Sequence, residues 1–471
     1  MRRRQLSIAL TLLSLWYPVR GANADPEEAL QAFLRDPAIR GARVGVLVED
    51  FQSGERLLEH RSERALVPAS NQKLLIGAAA LAHWGPTHRF ETPIMIQGEV
   101  DSEGILQGSL WVVGRGDPSH VSESLWKLAE RVRLQGIVAI RGGLGIDAGY
   151  FDSIRFHPDW GPPTAHSDHP PTAGFAVNYS SFRVDVIGGA EVGDPVRVTV
   201  APDTIYFRAR ADAVTIQRTR RLQLQIAPLP DGSGERVSVT GAFPLGSQPL
   251  TYWRAVSMPA RYAAAVLRMQ LEAQGVRVSG PTRFGDVPSD ATELLRFPGE
   301  SMSEIVWKLN KYSNNFIAEQ LTKKLGAEVY GPPGSWDKGR RALAAYLRSI
   351  GIADRQGVIA DGSGLSRRNK VSPHTLVSVV RRAALRFESG PEFLASLPLG
   401  GLDGTLKDRM ENRTTSVRGK TGHLRRVSSL TGILPTSTGR LLAFAILVNG
   451  ARGERLEVDA AIDTLVAELG S

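Results

Sequence analysis

Ser70 and Lys73 stand three residues apart in the stretch Pro68-Ala69-Ser70-Asn71-Gln72-Lys73. If that stretch opens a helix, the hydroxyl and the amine share one face. Ser70 then lies at the positive end of the helix, beside backbone N–H groups that have no intrahelical partner. A hydroxyl, an amine within reach and N–H donors for a developing oxyanion are the parts of an acyl-transfer nucleophile. The same tetrapeptide also describes an ordinary helix start with a capping serine and a solvated lysine, so its meaning depends on what the remaining chain supplies.

Two further stretches answer it. Ser313-Asn314-Asn315 carries a hydroxyl for moving a proton and an amide for holding a substrate amide. In an extended or turn conformation, residues two apart can point the same way. Lys420-Thr421-Gly422 combines a cation, a hydroxyl and a side-chain-free backbone that can receive a peptide laid along a strand edge. His423 follows directly.

These side chains need rigid supports, and the apolar pattern provides them. Leu74, Leu75, Ile76 and Ala78 to Ala80 predict a helix from Ser70 to about Trp84, stopped by Gly85-Pro86. Helices over 301–309 and 316–325 flank Ser313-Asn314-Asn315. Strands are expected at 417–422, 427–434 and 441–448, placing Lys420 on the first of them. Strands at 43–48 and 56–58 and a helix opened by Asp25-Pro26 precede the Ser70 helix. Val458, Ile462, Leu465, Val466 and Leu469 make one face of a terminal helix. Its polar positions are acidic, so it is expected to pack on the terminal sheet and not on anionic lipid.

Between these supports, residues 88–297 change texture. Strands at 91–96, 106–113, 137–146, 183–187, 196–200 and 222–226 are expected, with helices around Leu125, Leu128 and Val132 and over 260–274. The expected domain plan is therefore discontinuous. Residues 25–87 and 298–471 form one domain, and 88–297 form a β-rich insert with a nested domain at about 150–250. The loop 151–171 holds His157, Asp159, His166, Asp168 and His169. These are read as turn formers between prolines and not as metal ligands, since no ligand spacing is fixed.

Composition agrees with a globular chain of more than one core: 471 residues, 42% hydrophobic and 22% charged. Cysteine is absent, which excludes thiol catalysis, cysteine zinc sites and disulfides. Arg2, Arg3 and Arg4, the apolar run from Leu6 to Trp16 and Ala22-Asn23-Ala24 form an export signal cleaved after Ala24. The net charge is +9, of which Arg2, Arg3, Arg4 and Arg20 in that segment supply four. The mild remaining excess suits peripheral association with anionic envelope material. It is no nucleic-acid footprint, because no dense basic cluster with interleaved aromatics occurs.

Taken in order, Ser-x-x-Lys, Ser-x-Asn and Lys-Thr-Gly resemble the motif set of the penicillin-recognising serine acyl-transferases. The long gaps between them, with Gly116-Asp117-Pro118, Asp361-Gly362-Ser363-Gly364-Leu365-Ser366 and Leu399-Gly400-Gly401-Leu402-Asp403-Gly404-Thr405-Leu406, resemble the class C low-molecular-mass penicillin-binding proteins. These are D-alanyl-D-alanine carboxypeptidase/endopeptidases. The resemblance covers nearly all of the chain after residue 24. It implies an α/β (α+β) penicillin-binding/β-lactamase-like transpeptidase fold, an antiparallel sheet flanked by helices, with a large inserted region. It implies Ser70, Lys73, Ser313, Asn315 and Lys420 as catalytic residues and Thr421, Gly422 and His423 as substrate-binding residues. It implies peptidoglycan stem peptides as substrate, β-lactams as inhibitors, a periplasmic location and no cofactor or metal. No oligomeric state follows from it. Two departures stand out: His423 occupies a position where the family usually has a small hydroxyl residue, and the loop 151–171 does not follow the family pattern. Two rival readings use the same residues: a β-lactam hydrolase on the same fold, and a non-catalytic wall-binding scaffold.

Overall fold

The computed structural model describes residues 25–352, 357–410 and 416–471. The expected export segment lies outside the described residues. A five-stranded antiparallel sheet organises the chain's two ends, in the order Arg418–Leu424, Val427–Pro435, Leu441–Asn449, Arg43–Asp50, Arg56–His60. Alternation along the strands sends successive side chains to opposite faces. Val44, Val46, Val48, Phe444, Ile446 and Val448 face one way, under Leu30 and Phe33 of helix Pro26–Arg35 and Ile462 and Leu465 of helix Arg455–Leu469. The terminal helix therefore lies on the sheet, as its acidic polar positions suggested. Leu47, Ala443, Ala445 and Leu447 face the other way, against helices Lys73–Trp84, Met302–Lys311 and Pro373–Ala384.

Helix Lys73–Trp84 is the hub of that second layer. It is apolar all round, as befits a helix enclosed by others. Leu74, Leu75 and Ile76 are fully buried and Leu81 nearly so. Those four side chains together contribute roughly 6–12 kcal/mol of gross burial.

The segment 88–297 leaves and rejoins through paired strands. Strand Arg89–Gln97 runs antiparallel to Thr292–Ser301, and Met302 N donates to His88 O at 2.8 Å. Helices Lys73–Trp84 and Met302–Lys311 are thereby neighbours despite the long stretch between them. The segment's apolar residues, from Ile94 to Phe297, form one contiguous cluster around helices Ser122–Leu134 and Pro259–Ala273. Two expected strands are each split. Residues 106–113 become Ile105–Leu106 and Ser109–Val113, and 137–146 become Ala139–Ile140 and Gly143–Asp147. The breaks fall where Gly108 and Gly142 approach each other: Gly142 N donates to Gly108 O at 2.7 Å, and a Cβ on Gly108 would sit 1.7 Å from Gln97 O.

Candidate active site

Ser70 lies on a 3-10 turn, Ala69–Gln72, and the α-helix proper begins at Lys73. The expected α-helical start at Ser70 is thus one tight turn too early. Ala69 takes a left-handed φ of 48°, which tips the chain into that turn. Three-residue spacing still brings the two groups together: Lys73 Nζ donates to Ser70 Oγ at 2.9 Å and to Ser363 O at 2.7 Å.

Lys73 is fully buried. Burial pulls its pKa down to about 7, against the carboxylates of Glu319 and Asp361, which pull it up. Removing a lysine's charge preference by that much costs on the order of 5 kcal/mol. The apolar packing of the same helix offsets it. Lys420 is also fully buried, and burial first and Lys73 second hold it well below the ordinary lysine range. Burial is the leading cause for both lysines, and the Lys73 charge adds to the lowering of Lys420.

Lys420 Nζ donates to Ser313 Oγ at 2.9 Å and to Thr421 O at 2.9 Å. Ser313 adopts φ 55° between helices Met302–Lys311 and Asn315–Tyr330, and Asn314 caps the second by accepting from Ile317 N at 3.0 Å. That left-handed residue turns the chain sharply and aims the Ser313 hydroxyl at the sheet. Asn315 opens the second helix, and its Nδ2 donates to Asp168 O, in the loop 151–171, at 2.6 Å. Its amide therefore points to the inserted segment, apart from the Ser313–Lys420 pair.

Strand Arg418–Leu424 is an edge of the sheet, so one side of its backbone is unpaired by other strands. Gly422 lets it lie against the nucleophile's turn: a Cβ there would sit 2.4 Å from Ser429 Oγ and 2.7 Å from Pro68 O. Thr421 Oγ1 donates to Thr405 Oγ1 at 2.7 Å. His423 Nε2 lies 2.9 Å from an Asp459 oxygen on the terminal helix, and Arg409 pairs with Asp459 and Asp463. Ser70, Ser313, Thr405, Thr421, His423 and Arg409 line one open cavity of about 680 Å³.

The structure thus brings Ser70, Lys73, Ser313, Lys420, Thr421, Gly422 and His423 into one cleft, with Asn315 at the mouth of the helix beside it. Sequence reasoning missed Glu319, one helical turn beyond Asn315, and the partnership of His423 with Asp459. Asp361 and Ser363 entered it only within a stretch that carries the family resemblance. Of the residues in 151–171, His157 Nε2 meets Ala360 O at 3.0 Å, and Asp159 accepts from Ser366 Oγ and Arg368. Among the described residues, no group of three or more histidine and carboxylate side chains is placed to hold a metal.

With that geometry in place, comparison with known proteins is direct. The model of the D-Ala-D-Ala carboxypeptidase 3 (S13) family matches residues 27–469. The chain is 36% identical over 462 residues to a D-alanyl-D-alanine carboxypeptidase of an Actinomadura species, covering 94% of this chain and 84% of that one. It is 26% identical over 417 residues to the D-alanyl-D-alanine carboxypeptidase DacB of Haemophilus influenzae, covering 87% and 86%. The crystal structure of penicillin binding protein 4 from Haemophilus influenzae matches with a TM-score of 0.80 at 25% identity, over 94% of this chain and 98% of that one. The motif order, the fold and the relatives agree: this chain belongs to the D-Ala-D-Ala carboxypeptidase 3 (S13) family and is a serine peptidase.

Proposed function

We propose that the chain is a D-Ala-D-Ala carboxypeptidase and/or DD-endopeptidase of peptidoglycan stem peptides, acting through an acyl-enzyme on Ser70. The observation that carries this reading is the 2.9 Å contact between Ser70 Oγ and a buried Lys73 amine whose pKa is about 7. An amine of that pKa is about half neutral at pH 7 and largely neutral above it, so it can accept a proton, as an ordinary lysine cannot.

Ser70 Oγ attacks the carbonyl carbon of the penultimate D-Ala while Lys73 Nζ takes the hydroxyl proton. The backbone N–H groups of Ser70 and His423 receive the oxyanion. As the C–N bond breaks, the leaving amine takes a proton from the Ser313 hydroxyl, beside Lys420, and the proton held on Lys73 replaces it, so Lys73 is neutral again. Water then attacks the ester and gives a proton to Lys73, which passes it to Ser70 Oγ as the C–O bond breaks, and the free acid leaves. Lys420 and Thr421 hold the terminal carboxylate on the strand edge. Asn315 exchanges the Asp168 carbonyl for the acyl-side amide of the substrate. A β-lactam offers the same carbonyl, but its nitrogen stays tethered after attack, so the ester persists.

The division into a catalytic domain, 25–87 with 298–471, and an inserted one, 88–297 with a nested domain at about 150–250, belongs to the same proposal. So do export by residues 1–24 and action in the periplasm, with peripheral association at the envelope. Among the described residues no helix is long and apolar enough to cross a membrane. Incubation with a stem pentapeptide tests the function. Release of free D-Ala by the wild type, lost in Ser70→Ala, is expected; release that survives the substitution would place the nucleophile elsewhere.

A further inference from the structure

Glu319 is wholly buried. Its Oε1 accepts from Ser363 N at 2.7 Å, and its Oε2 accepts from Gly362 N at 3.2 Å and from Trp336 Nε1 at 2.7 Å. All three bonds are received, which suits a carboxylate. A carboxylate at this depth is expensive, and none of those donors is a cation that would compensate it as an ion pair. What the bonds do is fix the backbone of 362–363. Ser363 is the residue whose carbonyl oxygen receives Lys73 Nζ at 2.7 Å. Glu319 and Lys73 therefore hold the two ends of one residue.

The same loop is held from outside by the inserted segment. Asp361 accepts from Gly364 N at 2.8 Å, Ser366 N at 2.6 Å and Asn369 Nδ2 at 2.7 Å. Its fourth donor is Trp160 Nε1, at 2.9 Å, from the loop 151–171. His157, three residues earlier, meets Ala360 O.

We infer that Glu319 is a positioning residue for the Lys73 base, acting through Ser363, and that Trp160 braces the same loop from the insert. The insert is then part of the support of the catalytic lysine and not only an appended module. Charge acts alongside position. The groups that face Lys73 are Lys420 from the edge strand, Glu319 from helix Asn315–Tyr330 and Asp361 from the loop. Glu319 first and Asp361 second oppose the lowering that burial imposes on Lys73. Burial and Asp361 push Glu319 up, while the bonds from Ser363 N and Trp336 Nε1 oppose that push and favour its anion. As an anion it keeps the buried amine basic enough to take a proton from a hydroxyl.

This inference rests on acylation of Ser70 with Lys73 as base, so wild-type labelling by a fluorescent penicillin, absent in Ser70→Ala, is the control that tests that reading separately. The experiment is the acylation rate against pH for Glu319→Gln and Glu319→Asp. In Glu319→Gln the acidic limb should move to lower pH by roughly half a unit to one unit, as a buried opposite charge is lost. Its plateau should fall about 10- to 100-fold as the lysine is misplaced. Glu319→Asp keeps the charge on a shorter stem, so its plateau should fall while its limb stays. A Glu319→Gln enzyme with an unmoved limb, or either variant with a wild-type plateau, overturns the role of Glu319. If Glu319→Gln does not fold, Glu319→Asp decides that part by its plateau. For the brace, Trp160→Phe should acylate about 3- to 10-fold more slowly at the plateau, with an unchanged circular dichroism spectrum. A wild-type rate in that variant overturns the role given to the insert.

Discussion

Raising the pH from 6 to 8 should speed acylation of Ser70 about tenfold. The magnitude follows from the environment of Lys73, which is fully buried, donates to Ser70 Oγ at 2.9 Å and has its pKa brought down to about 7. With that value, about one lysine in eleven is neutral at pH 6, about half at pH 7 and about ten in eleven at pH 8. An ordinary lysine would be neutral in only about one molecule in three thousand at pH 7, so burial raises the competent fraction about a thousandfold or more. Carboxylates Glu319 and Asp361 work against this and set where the limb falls. Stopped-flow measurement of the second-order rate constant with a fluorescent penicillin, from pH 5.5 to 9, reads the limb directly. A rate flat between pH 6 and 8, or one still rising steeply at pH 9, would refute the assignment of Lys73 as the base.

Other expectations follow from the same geometry. Lys73 has a folded pKa below its unfolded value, so the unfolded chain binds the extra proton between about pH 7 and 10.5, and stability rises with pH across that window. Lys73→Met should therefore abolish acylation yet raise the melting temperature at pH 7, by the equivalent of roughly 2–4 kcal/mol after about 1–3 kcal/mol is lost by leaving Ser363 O unpaired. That gain should vanish near pH 10, and a Lys73→Met protein less stable than wild type at pH 7 would contradict it. Gly422→Ala would drive a methyl group onto Ser429 Oγ and the fixed Pro68 carbonyl. It should cost about 1–3 kcal/mol in thermal unfolding and at least tenfold in acylation. His423→Ala removes the tie to Asp459 but keeps the backbone N–H proposed for the oxyanion. Acylation should stay within about threefold of wild type and stability should fall by about 1 kcal/mol, because the ring is partly exposed. A hundredfold loss of acylation would give the imidazole itself a chemical role.

The elements that carry the site were largely readable in the sequence because they obey simple periods. The strand over Leu441–Asn449 is an apolar run bounded by turn residues, and helix Lys73–Trp84 is apolar from Leu74 to Leu81. Strand Thr292–Ser301 escaped notice because Pro298 and Gly299 look like a turn; they sit where its register with Arg89–Gln97 slips. Strand Leu250–Ala255 escaped because its large apolar residue Trp253 faces outward with Thr251, which breaks the apolar-in, polar-out alternation. Helix Asn315–Tyr330 conceals its burial in a different way. Glu319, Gln320, Thr322, Lys323 and Lys324 are the residue types of a solvated face, yet all are buried. Gly362 and Ser363 bind Glu319, Ala173 binds Gln320 and the Arg115 carbonyl binds Lys324, and no local pattern announces a cover that comes from elsewhere in the chain. Lys323, for example, reaches Asp152 and Ile154 O. The departure at His423 was visible as a residue type, but its partner Asp459 lies on the terminal helix, and only the folded chain joins them.

The most direct test of the central claim is to locate the acyl group. Wild-type protein exposed to penicillin at pH 8, quenched and digested, should carry the adduct on the peptide that contains Ser70, with one adduct per chain and none in Ser70→Ala. An adduct on Ser313 or on any other residue, or a chain that stays unmodified while fully folded, would contradict the chemistry assigned to the Ser70–Lys73 pair.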